Sequence, residues 1–322
     1  MFPTDDLTIE LNVIPGSVGA ALLDGEQRLH YADVIRPRRH VELLLEAVLN
    51  IDRTELYLRS GEQLGEIELK KFRDLLARRE SGEPVQYIVG WAPFFGRRFH
   101  IHSGVFIPRF ETETIIEQLL QIITLQPTCN HPPTMLDLCC GSGVIGLTAT
   151  LEVQHSHVVM IDSSEKATEN AVTNSREQKL ADRVEIIKLD ALDEFPRAWH
   201  GRFDFVLANP PYILVTEMAK LPRDVREGEP RATLTDEGDG LSFYRRWCET
   251  VPQILAPGGR LIVECGDDAA PAVVGILAQA FADVTSSRDI NGMERVVTCR
   301  KRELVGRDSV PAQVELTADL AD

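Results

Sequence analysis

Four consecutive residues, Asn209-Pro210-Pro211-Tyr212, stand directly behind the apolar run "FDFVLA" and stop it with a rigid turn. Proline fixes φ and has no N–H, so the run can neither continue as a central strand nor start a helix at once. A stiff loop at a strand end holds its acceptors in fixed directions. The Asn209 side-chain oxygen and the Pro210 carbonyl can both accept from one NH2 group, and the Tyr212 ring can stack on a planar group. That is a receptor for a planar, conjugated nitrogen. Its lone pair is delocalised, and two acceptors pulling on its hydrogens would localise the pair toward an electrophile. Taken by itself, the turn also fits a merely rigid loop.

A second constellation lies upstream in "MLDLCCGSGVIGL". Asp137 is read as ending a strand, and Gly141, Gly143 and Gly146 follow with G-x-G-x-x-G spacing, which lets a backbone turn tightly and approach a ligand before a helix begins. A nucleotide-like ligand is expected, its identity open. The next strand ends at Asp162, where a carboxylate can accept from both hydroxyls of a ribose, and the third at Asp190. Each aspartate alone fits a helix cap equally well. Three of them above one glycine loop make a coherent rim, because α/β sheets bind ligands at the carboxyl ends of their strands.

The elements that must position these residues are legible as pattern. From Met135 onward, strand-like runs (MLDLC, VVMID, VEIIKL, FDFVLA, RLIVEC, RVVTC) alternate with helical spacing, which argues a mostly parallel sheet covered by helices on both faces. Ahead of it, Val41, Leu44, Leu45 and Val48, then Leu64, Ile67, Phe72, Leu75 and Leu76, follow helical spacing. Before residue 36 only a short helix or strand is expected. Arg36, Arg38, Arg39 and His40 read as a solvated helix start. Gly/Pro punctuation in "YIVGWAPFFGRRFHIH" suggests a hairpin. The expected organisation is a helical domain over 1–84, a hairpin linker over 85–107, the α/β domain over 108–300 and a polar tail over 301–322.

Totals limit the partners. The chain has 322 residues, of which 43% are hydrophobic, and a formal net charge of −16. That charge argues against duplex nucleic acid or an anionic membrane as the main partner. Six cysteines without a CxxC pair give no zinc signature and suit a reducing compartment. The acidic start resembles no secretory signal and no apolar run approaches membrane-spanning length, so the cytoplasm is expected.

The combination "LDLCCGSGVIGL", "MIDSSEKA" and "ANPPYI" resembles the class I methyltransferases that use S-adenosylmethionine, within which NPPY marks enzymes acting on amide or amino nitrogens. More narrowly, "GEPVQYIVG", "FFGRRFHI", "IPRFETE", "EPRATL" with "DGLSFYR", and "LIVECG" with "ERVV" are similar to the HemK/PrmC family, the N5-glutamine methyltransferases of peptide chain release factors. The likeness runs from about His40 to Arg300.

The resemblance implies a Rossmann-like, seven-stranded α/β domain behind a small helical domain that helps recognise a release factor or other protein substrate, with no direct contact to nucleic acid or membrane. It assigns the cofactor to Asp137, Cys139, Gly141, Ser142, Gly143, Asp162, Asp190 and Asn209. The glutamine amide falls to Asn209, Pro210, Pro211 and Tyr212, and the border of the substrate cleft to Arg109, Phe110, Glu111 and Glu113. Methyl transfer would proceed by direct displacement, releasing S-adenosylhomocysteine with no general base and no metal.

Two positions depart from the family pattern. Cys139 replaces its usual glycine, and Phe110 the usual proline of "IPRPETE". Cys139 is tolerable unless that position needs φ > 0. A diverged relative acting on another protein glutamine or on a small amide or amine, a nicotinamide-dependent oxidoreductase, and a non-catalytic binding module are the competing readings. A thiol nucleophile at Cys139 or Cys140 has no adjacent His or Lys to activate it.

Overall fold

The computed structural model of the chain describes residues 14–125 and 131–303. The acidic start, Cys129 and nearly all of the polar tail lie outside the described residues.

Five helices come first: α1 (Val18–Tyr31), α2 (Pro37–Leu49), α3 (Arg53–Leu58), α4 (Glu66–Glu80) and α5 (Val85–Val89). Leu22, Leu29, Val41, Leu44, Leu45, Phe72 and Leu76 form their common core. The expectation of only a short element before residue 36 is corrected by α1, which has 14 residues and is capped by Ser17, whose Oγ accepts from Ala20 N. Its periodicity is weak because Gly25 supplies part of the contact. A Cβ there would sit 2.9 Å from Val41 Cγ1. Ile67, counted as core by its spacing, is 85% exposed.

The basic cluster opens α2 as a helix start with Arg36 exposed at the N-cap, but Arg38, Arg39 and His40 are paired within the protein and not simply solvated. Arg38 pairs with Glu26 at 2.9 Å and Arg39 with Glu46 at 2.8 Å. Glu42 is fully buried, where it accepts from Arg39, Arg53 and the Tyr57 hydroxyl. A buried carboxylate needs such partners, and its own helix α2 and the following α3 supply them.

The hairpin consists of β1 (Trp91–Phe94) and β2 (Arg97–His100), antiparallel with Trp91 opposite His100. It is shorter than the 85–107 span. Pro84 at the cap and Gly90 at φ +83° bracket α5, whose Val85 and Ile88 join the helical core. The remaining elements are α6 (Glu113–Leu125), β3 (Thr134–Leu138), α7 (Val144–Glu152), β4 (His157–Asp162), α8 (Glu165–Glu177), β5 (Val184–Lys188), β6 (Phe203–Ala208), α9 (Arg223–Gly228), α10 (Ser242–Ile254), β7 (Leu255–Glu264), α11 (Ala270–Leu277), β8 (Phe281–Arg288) and β9 (Glu294–Lys301).

Seven strands form one mixed sheet in the order β5-β4-β3-β6-β7-β9-β8, with β5 through β7 parallel and β9 antiparallel to both neighbours. One face packs on α10 and α11 through Tyr244, Trp247 and Val273, the other on α6 and α7 through Ile115, Leu119 and Leu147. The seventh strand, β8, has no counterpart in the pattern reading. It is an edge strand with the polar sequence FADVTSSR, so it lacks the apolar run that marks buried strands. Strand order reverses at β3, which opens a crevice at the carboxyl ends of β3, β4 and β6. No helix among the described residues is long and apolar enough to cross a membrane.

Residues 213–241 form a strap between β6 and α10 that contains α9 and docks on the helical domain. Arg79, only 2% exposed, donates to Asp224 Oδ2 at 2.7 Å, to His40 Nδ1 at 3.0 Å and to the Glu83 carbonyl at 3.2 Å. Arg79→Met leaves these acceptors unpaired and is expected to destabilise the protein by about 2 kcal/mol, the cost of unsatisfied buried acceptors and below that of a fully buried broken pair because Asp224 keeps some solvent access. Chemical denaturation of both proteins checks this. Burial and the Arg79 charge push His40 from 6.5 down to about 4. Unfolding raises its proton affinity, so stability is lost as pH falls from about 6.5 toward 4. An Arg79→Met protein as stable as the wild type would refute the load assigned to this junction.

Candidate active site

The cleft at the crevice has a volume of about 400 Å3. Its floor is the loop behind β3. Cys139 sits there at φ +58° and Gly141 at φ +55°, so the position of the family's usual glycine is indeed left-handed and Cys139 carries the strain of a side chain in that region. Both residues line the cleft. A Cβ added to Gly141 would meet nothing nearer than Phe106 Cβ at 3.9 Å, which leaves the backbone face of the loop open.

The other expected glycines serve packing. Gly143, at φ +82°, caps α7, and a Cβ there would press on Ala171 at 3.1 Å. One at Gly146 would lie 2.6 Å from Met160 Sδ. Ser142 is buried, its carbonyl accepting from Asn174 Nδ2 at 2.9 Å. Asp137 does not end its strand; Leu138 does. The Asp137 carboxyl is fully buried beneath the loop, with Oδ2 accepting from Gly146 N and Oδ1 unpartnered, and burial raises its pKa to about 8. Asp137, Ser142 and Gly143 therefore shape the floor from below and do not line the cleft.

Asp162 and Asp190 line the cleft as expected. Asp162 Oδ2 accepts from Gly141 N and Oδ1 from Ser164 N, each at 2.9 Å. A carboxylate has about four acceptor directions, so each oxygen keeps capacity for a hydroxyl. Burial raises the Asp162 pKa while those two N–H groups oppose it. Asp190 stands two residues beyond β5 and caps Leu192 N at 2.9 Å. Burial and the nearby carboxylates push the Cys139 and Cys140 thiols well up, which removes the thiolate that a cysteine nucleophile needs.

Behind β6, Asn209 and Pro211 line the cleft. Asn209 Nδ2 donates to Thr112 Oγ1 at 3.1 Å, which commits the amino side of the amide and leaves Oδ1 as its acceptor. Pro210 is buried and Tyr212 lies behind the lining. The Tyr212 hydroxyl donates to Glu264 Oε1 at 2.8 Å and its ring packs on the sheet core, so its stacking role is corrected to a support for the turn.

The expected border residues are not in the lining either. Arg109 donates to Glu229 and lies 5.0 Å over the Phe106 ring. Glu111 accepts from Asn291 Nδ2 at 3.1 Å. Glu113 turns away to cap Phe95 N at 2.8 Å. Phe110 projects outward, 61% exposed.

Pattern reasoning assigned no role to three groups that hold the site together. Glu229 Oε2 accepts from Ile107 N at 3.0 Å, so with Arg109 it latches the strap over the cleft. Asp236, in the strap, accepts from Gly238, Gly240 and Ser242 and fixes the turn into α10. Glu264 stands at the end of β7 beside Asn209. A carboxylate closing the apolar run "RLIVEC" was the available signal for it.

A PrmC N-terminal domain model matches residues 20–90 and a methyltransferase small domain model residues 97–221. The release factor glutamine methyltransferase of Geobacter sulfurreducens is 37% identical over 261 residues, covering 81% of this chain and 88% of that protein. The protein of the same name from Bacillus subtilis is 36% identical over 264 residues, covering 81% and 91%. Among solved structures, a methyltransferase from Pyrococcus furiosus aligns over 71% of this chain and 98% of its own with a TM-score of 0.46 and 15% identity.

Proposed function

The chain belongs to the release factor glutamine methyltransferase family, and from that premise we propose that it moves the methyl group of S-adenosylmethionine onto N5 of the glutamine in the Gly-Gly-Gln motif of a peptide chain release factor. The observation that carries this reading is the Asn209 amide, which lines the cleft with its amino side tied to Thr112 and its oxygen left to accept.

The residues present fit the cofactor. Asp162 offers carboxylate acceptors for two ribose hydroxyls, and the open backbone at Cys139 and Gly141 admits the rest of the molecule. Leu192 and Phe243 give apolar walls near Asp190, suited to the adenine. When bound, S-adenosylmethionine supplies an electrophilic sulfonium methyl and leaves as S-adenosylhomocysteine.

The chain's own work is orientation. Asn209 Oδ1 and the Pro210 carbonyl accept the two amide hydrogens, which turns the nitrogen lone pair out of conjugation and aims it along one line. Pro210 and Pro211 keep those acceptors stiff, with Tyr212 pinned behind them by Glu264. The N-methylated amide cation is a strong acid that loses its proton to solvent, so no side chain acts as general base. The strap, latched by Glu229, covers the reacting groups and excludes water. A nicotinamide oxidoreductase would use the glycine loop and Asp162 but leaves this turn without a task. The net charge of −16 gives no phosphate footprint for a nucleic-acid substrate.

The test is transfer of a labelled methyl from S-adenosylmethionine to a purified release factor, beside the same factor with Gln→Ala in its Gly-Gly-Gln motif. Label on the first and none on the second is expected. Cofactor binding without label on either factor would overturn the substrate assignment and redirect it to another protein glutamine or a small amide.

A further inference from the structure

Helix α8 presents three amide side chains spaced four residues apart, Asn170, Asn174 and, at its C-cap, Gln178. They meet the outer edge of β2, which no strand covers among the described residues. Asn170 Oδ1 accepts from His102 N at 2.8 Å and Asn174 Oδ1 from His100 N at 2.7 Å. Both Nδ2 groups donate to the His100 carbonyl, at 2.8 and 2.9 Å, and Gln178 Nε2 donates to the Arg98 carbonyl at 3.1 Å. Four helical residues rise about 6.0 Å and two strand residues about 6.7 Å, so each turn of the helix reaches the next outward-facing peptide of the strand. A ladder of side-chain amides thus takes the place of a neighbouring strand.

The same ladder is tied to the loop behind β3. Asn174 Nδ2 also donates to the Ser142 carbonyl at 2.9 Å, and a Cβ at Gly143 would lie only 3.1 Å from Ala171 on α8. Past His102 the hairpin exit enters the cleft, where Gly104, Val105 and Phe106 line it together with Cys139 and Gly141. One side chain therefore joins the floor of the cleft to one of its walls. Proton counting leaves Asn174 no substitute: its two N–H groups serve the His100 and Ser142 carbonyls and its oxygen serves His100 N. Asn170 and Asn174 are both fully buried, so water does not replace a lost partner.

We propose that Asn170 and Asn174 are positioning residues for the cofactor, whose amides dock the edge of β2 on α8 and hold the wall at residues 104–106 in register with the loop at residues 139–143, so that both close on S-adenosylmethionine. This rests on the methyltransferase reading above. It does not depend on which nitrogen receives the methyl group. Gln178 belongs to the ladder but not to the site, because its bond ends at Arg98, away from the hairpin exit.

The test measures the Kd of S-adenosylhomocysteine by calorimetry, and kcat for methyl transfer at saturating cofactor, in the wild type, Asn174→Asp and Gln178→Ala. Asn174→Asp keeps the size and the acceptor but has no N–H for the two carbonyls. It is expected to raise the Kd about 10-fold, the scale on which packed polar networks transmit a local change. Its kcat at saturation stays within threefold of wild type, since Asn209 follows another strand, β6. Gln178→Ala leaves the Kd within twofold. In the wild type, S-adenosylhomocysteine is expected to slow hydrogen exchange at the His100 and His102 N–H groups more than at Ile101, whose N–H bonds within the hairpin to the Gly90 carbonyl.

An Asn174→Asp protein that binds within twofold of wild type would overturn the role and leave the cofactor reading standing. So would an equal loss in Gln178→Ala, which marks a ladder that only covers a strand edge. Should Asn174→Asp not fold, the exchange measurement decides: equal slowing at the three amides, or none, refutes the clamp. A wild type that binds no S-adenosylhomocysteine refutes the cofactor reading itself, and this role with it.

Discussion

Asn209→Ala is expected to lower methyl transfer to the release factor by about 10²- to 10³-fold, the usual loss when one preorganised hydrogen-bonding group is removed from a reacting centre. The side chain supplies one of two acceptors for the amide hydrogens, and it lies in the cleft lining held by Thr112. The Pro210 carbonyl remains, so the substrate can still enter, but the nitrogen lone pair is no longer directed. The deficit therefore falls in kcat more than in KM. Binding of S-adenosylhomocysteine should change by only a few-fold, because Asp162 and the Cys139–Gly141 backbone lie on other strands. Single-turnover transfer with saturating cofactor measures the effect. A variant with kcat within threefold of wild type would remove Asn209 from the chemistry.

Asp162→Ala is expected to weaken S-adenosylmethionine binding by roughly 30- to 150-fold, or about 2–3 kcal/mol, the scale for hydrogen bonds to a charged group. Two losses combine. The acceptors for the ribose hydroxyls disappear, and Gly141 N and Ser164 N lose the carboxylate that orders both sides of the loop. Calorimetric titration gives the Kd directly. The unsubstituted protein adds a check by pH: burial raises the Asp162 pKa, so cofactor affinity is full above that value and declines as pH drops through it. An alanine variant that binds within threefold of wild type would show that the ribose is held elsewhere.

These predictions depend on residues of different legibility. Gly141, Asp162, Asp190, Asn209 and Pro211 were visible because each stands at the end of an apolar strand run or within three residues of it, and a parallel sheet carries the carboxyl ends of its strands to one edge; Cys139 was named only through the family resemblance. Arg109, Phe110, Glu111 and Glu113 were read from their nearness to a family motif. Motif membership says nothing of direction, and the 3-10 turn at Phe110–Thr112 sends them to Glu229, to solvent, to Asn291 and to the hairpin.

By itself, the sequence determined the class of fold and the chemistry at the strand ends. Apolar runs of period two or 3.6, left-handed glycine turns and a proline-stiffened loop are local devices whose energies act within a few residues. The tertiary structure alone decided which polar groups face one another. Arg79 meets Asp224 across 145 positions, Ile107 meets Glu229 across 122, Asn209 meets Thr112 across 97 and Tyr212 meets Glu264 across 52. Such pairs leave no periodic trace in the chain. Each partner is polar on its own segment, and only burial at a shared junction makes pairing obligatory.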